Sequence, residues 1–342
     1  KSAFALIGMG AYLTLYVDVP MLPLALVLTF AFGLLNIFGA KETAILQRIL
    51  VSALVLIMAF FIIVGLSYLF TPENNIVFSG QPDFFTNGIN GFISTIGLVF
   101  VSYAGLTKVA SIAEEVQNPD WSIPMGMIFS LLTASFVYVV GVFIMVKLLP
   151  TGQFYNSLTP VADVGEIVMN FLPSNSGVLL IVIAAIAAFA STGNAGILSA
   201  SIYPLAMSRD GLLSPVFQTI GRFKTPHTSV IVTTLIMAVV LLLFDVEAVA
   251  KLASAFQLLL FGLINLSVIV MRESHIEAYK PGYKSPFYPW VQVIGMFISI
   301  WLIAQMGLLA VGLTGTVIIL CIGWYFYFAH GKVKRQGAIF HI

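Results

Sequence analysis

Charge is nearly missing from this sequence. Fifteen Lys and Arg and fourteen Asp and Glu amount to 8% of 342 residues, against about 25% in soluble globular domains. The formal net charge of +1 leaves no basic face to neutralise phosphates, which argues against a nucleic-acid partner. Histidine is as scarce: His227, His275, His330 and His341 lie outside the apolar runs or at their ends. They offer no nucleophile–base pair and no ligand cluster, so an enzyme within the membrane has no visible machinery, and no cofactor or metal is expected beyond a coupled H⁺ or Na⁺. The one cysteine, Cys321, excludes an internal disulfide and a CxxC metal site. It sits in the last apolar run and reads as a small hydrophobe. No linker, low-complexity tract or soluble domain is visible.

What is there is apolar. Hydrophobic residues make up 60% of the chain and the mean hydropathy is +1.05, more apolar surface than a core of this length can bury, so lipid is the expected solvent. Runs long enough to span read in order as Met21–Phe38, Ala44–Phe70, Phe92–Ala113, Pro124–Leu149, Ser176–Met207, Val230–Phe244, Val249–Met271, Trp290–Leu308 and Val311–Phe328. Ala3–Val17 is shorter, and Lys1 enters it without a preceding methionine, so a fragment of a longer protein is expected. The long run from Ser176 must tilt or project beyond the bilayer.

Lys and Arg mark one side. Lys41, Arg48, Arg209, Arg222, Lys224, Arg272, Lys280, Lys284, Lys332, Lys334 and Arg335 fall in one set of loops and the tail, while the loops near Thr71–Asn87, Thr151–Pro173 and Asp245–Val249 hold none. The bias puts the tail and the Arg209 loop in the cytoplasm. Lys147 and Lys251 sit at the opposite ends of their spans. In the outer loop, Val164, Ile167, Val168 and Phe171 have helical spacing. They predict a short amphipathic helix over Ala162–Phe171 on the outer surface, weakened by Gly165. Pro20, Pro124 and Pro286 stand at or near span entrances, where a missing N–H is harmless.

The span from Phe92 is interrupted. Gly97, Ser102, Tyr103 and Gly105 stand where a plain span would carry Leu or Ile. Unpaired backbone groups in hydrocarbon cost several kcal/mol each, so a break persists only where protein, water or a ligand supplies partners. Broken helices of this kind build midplane substrate sites in secondary transporters. One reading of Ser102-Tyr103-Ala104-Gly105 is an unwound hinge that binds the charged ends of a small zwitterion, with the helix N-terminus near Leu106 facing a carboxylate. The other is close helix packing through small residues. Lys108 follows, and an ammonium at the bilayer centre costs at least about 2.5 kcal/mol. It either couples charge to transport or snorkels to the interface and pairs with Glu115. Glu114 and Glu115 end the helix, where acidic groups need cationic partners. Arg209 or Arg222 would supply them in a structural or gating lock.

Further on, Ser191-Thr192-Gly193-Asn194-Ala195-Gly196 lies mid-helix. Its hydroxyls suit a cation such as Na⁺, and its small residues suit packing. Gln257 and Asn265 are open in the same way.

Four stretches carry a resemblance. VFVSYAGLTKVASIAEEVQNPDWSIP resembles the sixth-helix signature of the amino acid–polyamine–organocation (APC) permeases, and STGNAGILSASIYPLAMSRDGLLSPVF resembles their eighth helix and following loop. LLNIFGAKETAILQ is similar to their fourth-to-fifth helix loop, and KPGYKSPFYPW to the loop before the eleventh. The resemblance is collinear over nearly the whole chain. It implies an all-α integral membrane fold, a five-plus-five inverted repeat with a discontinuous sixth helix and its first two helices missing from this chain. Within one transporter domain, residues 1–70 would be the remainder of the first repeat, 89–271 the second, 286–329 two C-terminal helices and 330–342 a cytoplasmic tail.

The resemblance also implies residue roles. Val101, Ser102, Tyr103, Ala104 and Gly105 match the family's substrate segment, with Val101 and Ala104 facing the substrate side chain, and Ser191 and Thr192 fall near a cation site. Three departures stand out. The glycine-rich first helix is absent. Leu106-Thr107-Lys108 replaces an acidic residue common after the sixth-helix break. The lysine that some members carry in the fifth helix has no counterpart near Leu54. Ile202 also stands where an Arg often precedes the Tyr-Pro. The expected protein is a secondary amino acid transporter in the cell membrane, multi-pass, with the bilayer and a small-molecule amino acid as its partners. The alternatives are a polyamine or organic-cation carrier of the same fold and, with few polar rings to line a pore, a channel.

Overall fold

The structure, a computed structural model, describes residues 1–39, 44–71, 85, 87–105, 116–173, 176–223, 225–275 and 279–329, the side chains of 44–47 excepted. Twelve α-helices and no strand occur among the described residues. They are α1 (Ser2–Leu13), α2 (Met21–Ile37), α3 (Ala44–Phe70), α4 (Gly88–Val99), α5 (Pro119–Leu148), α6 (Thr151–Asn156), α7 (Pro160–Val168), α8 (Ser176–Arg209), α9 (His227–Leu243), α10 (Val246–Glu273), α11 (Trp290–Gln305) and α12 (Leu308–Trp324).

Among the described residues five stretches are both long and apolar enough to cross a membrane: Arg48–Phe70, Pro119–Leu148, Ser176–Arg209, Val246–Glu273 and Leu308–Ala329. Five further apolar helices are shorter, from Ser2–Leu13 to Trp290–Gln305. Large apolar side chains point outward along these helices; Leu56, Ile63, Phe129, Val139, Leu243 and Ile319 are all exposed. So much exposed apolar surface has no place in water, and the chain is an all-helical, multi-pass membrane protein.

The chain folds as two compact units. The first comprises Lys1–Phe84, Leu132–Ala206 and Val216–Asp245. There α2 packs on α1 and α9, and Gly33 permits the close approach, since a Cβ at Gly33 would stand 2.6 Å from Thr234 Oγ1. A second cluster joins α3, α5, α7 and α8 through Phe61, Ile144, Val164, Val168 and Val182. Thr159 stands at the N-cap position of α7 with its carbonyl accepting from Ala162 and Asp163 N–H, and Pro160 opens the helix with its missing N–H where none is needed. Val164 and Val168 are buried, so the inner face of α7 is committed to the protein core, while Ile167 is half-buried and Phe171, beyond the helix end, is exposed. Gly165 has a packing cause within α7: a Cβ there would strike Ile181.

The second unit comprises Phe85–Leu131, Met207–Pro215 and Val246–Ile342. Here α10 is the hub, packing on α4, α11 and α12 over a core of Ala255, Leu258, Leu302, Ile303, Met306 and Ala310. Gly307, at φ +98, makes the turn between α11 and α12 that a side chain would strain. α10 carries Glu247 in its first turn and Arg272 in its last, the signs that suit the helix dipole.

Two sequence expectations are corrected. Pro124 is not at a span entrance: α5 begins at Pro119, which takes the first helical position, and Pro124 lies inside the helix. The predicted Phe92–Ala113 helix also begins earlier, at Gly88, and its α-ladder ends at Val99.

Candidate functional site at a helix break

After Val99 the backbone tightens into a 3₁₀ turn, Phe100–Tyr103. Phe100 N–H donates to Gly97 C=O, three residues back, where α geometry requires four. Ala104 N–H then bonds Val101 C=O at 3.2 Å, and Gly105 N–H bonds Tyr103 C=O at 2.8 Å. The α-helix thus gives way to a 3₁₀ turn in the segment where Ser102, Tyr103 and Gly105 predict a break, and the residues that would continue the span lie outside the described ones.

Three residues per turn sort the segment into faces. Val101 and Ala104 are buried, each 5% exposed, on the side of the turn that packs on α10. Ser102 and Gly105 are exposed and Tyr103 is intermediate. The two polar or backbone-only positions are thus the open ones.

Ser254 of α10 secures the break. It is fully buried; its Oγ accepts from Val101 N–H at 2.9 Å and donates to Leu98 C=O at 2.6 Å. Sequence reasoning missed this residue. Three positions along α10, Gln257 is buried with its Nε2 unpartnered. Asn265 donates to Phe261 C=O within its own helix at 2.9 Å, and Gly295 packs against its amide, which favours packing at that position. Gly97 has a packing cause too: a Cβ there would stand 2.7 Å from Met306 Cγ.

Ser191 and Thr192 lie in α8, in the first unit, and are half-buried. Their neighbours serve packing on α1: Gly193 meets Leu6, Gly196 meets Ser2, and Gly8 of α1 meets Phe189. Asn194 Oδ1 accepts from Asn36 Nδ2 of α2 at 2.8 Å. Arg209 is exposed at the end of α8, and the reason for the Arg-Asp-Gly sequence is visible there. Gly211 takes φ +77, its N–H bonds Ser208 C=O, and Leu212 N–H bonds Met207 C=O, the Schellman closure of a helix. Trp324 Nε1 donates to Leu212 C=O at 2.9 Å. Lys108, Glu114 and Glu115 lie outside the described residues, as do Leu106 and Thr107. Among the described residues no group of three His, Cys, Asp or Glu side chains comes together to hold a metal.

At the α10–α11 loop, Ser285 Oγ accepts from Arg272 Nη2 at 3.3 Å and from Gln292 Nε2 at 2.7 Å. Arg272 stands 4.4 Å over the ring of Tyr288, and Tyr288 Oη donates to Glu273 Oε1 at 2.6 Å. That bond, with partial desolvation behind it, pushes the Tyr288 phenol pKa above its ordinary value near 10.

A multi-pass, helical membrane protein is the class these observations define. The chain belongs to the amino acid permease family, which it matches over residues 2–330. It is 28% identical over 295 residues to the methylthioribose transporter of Bacillus subtilis (strain 168), covering 86% of this chain and 61% of that protein. It is 30% identical over 260 residues to the mitochondrial cationic amino acid transporter 3 of Arabidopsis thaliana, covering 75% and 41%. It is 28% identical over 309 residues to the branched-chain amino acid permease BcaP of Bacillus subtilis (strain 168), covering 90% and 63%. The chain thus spans about two fifths to three fifths of the length of these relatives. The family and these relatives are transporters, not enzymes.

Proposed function

We propose that this chain carries out secondary active transport of amino acids by alternating access, with substrate held at the break after α4, around Ser102–Gly105. The observation that carries the reading is the sorting of the 3₁₀ turn, with Val101 and Ala104 buried and Ser102 and Gly105 exposed. Exposed backbone at an interrupted span is where a zwitterion's carboxylate and ammonium find partners that hydrocarbon cannot give. Val101 and Ala104 shape the segment from behind, and Tyr103 lies between the two faces. Substrate stabilises the occluded conformation, and the difference in its affinity for the two states drives the exchange. No covalent step is needed.

In this reading α1–α3 belong to the first inverted repeat, α4–α10 to the second, and α11 and α12 follow it, with the C-terminal tail and the Arg209 loop in the cytoplasm. Lys108 acts as a charge-coupling residue, Glu114 and Glu115 as a cytoplasmic lock with Arg209, and Ser191 and Thr192 as ligands for a coupling cation. The small residues of the break favour a neutral amino acid of medium size.

The test is uptake of labelled amino acids into proteoliposomes bearing the full-length protein, in three arms: a proton gradient, a sodium gradient, or neither with preloaded amino acid. Accumulation in a gradient arm supports coupled transport and identifies the ion; stimulation by preloading alone means exchange. Silence in all three arms from folded protein overturns the amino-acid reading and leaves a polyamine or organic cation as the substrate. Lys108→Ala with full transport and an unchanged pH profile overturns the role given to Lys108.

A further inference from the structure

The change from α to 3₁₀ winding strips two backbone groups of their ladder partners. In a continuous helix Val101 N–H would bond Gly97 C=O, and Leu98 C=O would accept from Ser102 N–H. Gly97 C=O is taken instead by Phe100 N–H. Both displaced groups are met by one atom, Ser254 Oγ, which accepts from Val101 at 2.9 Å and donates to Leu98 at 2.6 Å. A hydroxyl is the smallest side-chain group that both donates and accepts. Here it is fully buried, so water does not compete for either bond.

We infer that Ser254 is a positioning residue that holds the break open. It substitutes for one donor and one acceptor of the α-ladder, so the segment has no reason to rewind. The inference rests on the reading of Ser102–Gly105 as the substrate segment. Ser254 need not touch substrate. It acts by holding Leu98 and Val101 out of the α-ladder, which sets the 3₁₀ course of the backbone and keeps Ser102 and Gly105 on its exposed side. Without the hydroxyl, the α-ladder partners for Leu98 C=O and Val101 N–H are Ser102 N–H and Gly97 C=O, and pairing with them re-forms the α-helix through the turn and turns its exposed side away. Because α10 packs on both α4 and the 3₁₀ turn, displacement of α10 and closure of the break are then one event.

The experiment compares the full-length wild type with Ser254→Ala, Ser254→Thr and Ser254→Cys. Uptake of labelled leucine gives KM and maximal rate, and hydrogen–deuterium exchange is read on the peptide covering 97–105. The expected result for Ser254→Ala is a KM about tenfold higher, the equivalent of one to two lost hydrogen bonds, at little-changed maximal rate. Exchange at 98–105 becomes slower because the ladder has closed. Ser254→Thr keeps the hydroxyl and restores both readouts. A purely structural role predicts the opposite, faster exchange with an unchanged KM, and that result overturns the inference, as do two unchanged readouts. Should Ser254→Ala fail to fold, Ser254→Cys, with its weaker donor, carries the same comparison. Absence of leucine uptake by the wild type counts against the proposed substrate, while the exchange measurement still decides the role of Ser254.

Discussion

Asn36 of α2 donates to Asn194 of α8 at 2.8 Å, a side-chain bond between residues 158 apart in sequence. Asn36 is 2% exposed and also donates to Phe32 C=O at 2.8 Å, so both of its amide hydrogens are used. The pair explains why polar amides persist on two helices otherwise made of apolar and small residues. A bond of this kind between membrane helices contributes about 0.6–1.7 kcal/mol. Asn36→Ala and Asn194→Ala should each lower the thermal midpoint in detergent, and the double variant should lower it by less than the sum. Strict additivity in that cycle would mean that the bond contributes nothing.

The two faces of the 3₁₀ turn make separable predictions. Ser102→Leu adds bulk on the exposed side and should raise KM with an unchanged thermal midpoint. Ala104→Leu drives bulk into the side packed on α10 and should lower the midpoint, at a cost of about 1–3 kcal/mol for overpacking. Paired uptake and melting measurements decide this; a melting defect for Ser102→Leu alone would invert the assignment of faces.

The Tyr288 phenol is held protonated by its bond to Glu273. A raised pKa in the folded state means that the contribution to stability is complete below the ordinary value near 10 and fades as pH climbs through the higher folded value. Neutral and mildly alkaline solutions should leave the α10–α11 loop intact. The phenolate absorbance that Tyr288→Phe removes should titrate above pH 10; titration below it would contradict the sign.

Orientation is open to direct labelling. Cys321 is the one thiol in this sequence and lies exposed on α12 within an apolar run. Cys321→Ser, together with replacement of any cysteine the full-length protein carries outside these residues, should leave uptake unchanged and give a thiol-free background. In it, Arg222→Cys should react with a membrane-impermeant maleimide only after cells are permeabilised. Labelling of intact cells would place the Arg222 loop outside and reverse the proposed topology.

The helices were legible in the sequence because apolar runs bounded by Pro, Gly and charge leave few alternatives. The change from α to 3₁₀ winding after Val99 was legible too, since Gly97, Ser102 and Gly105 punctuate an otherwise uniform run. Its fastening was not: Ser254 sits in Ala-Ser-Ala, a pattern that small-residue packing produces equally well, and its partner lies 153 positions away. Nor was the meaning of the glycines. Gly165 read as a helix weakener and also packs closely on Ile181, and Gly97 read as part of the break and also seats Met306. Pro124 read as a boundary because a Pro ordinarily opens a helix, but Pro119 already holds that position.

The seating of Met306 on Gly97 has a mechanical side. Methionine is unbranched, with three soft torsions and a polarisable sulfur, and here it lies against a helix surface with no side chain of its own. Such a joint is compliant: α4 can slip or turn slightly against the end of α11 while the thioether follows, without a void opening or a branched side chain jamming. Gly97 adjoins Leu98, which Ser254 holds, so the same short stretch is fastened on one side by a hydroxyl and cushioned on the other by a thioether.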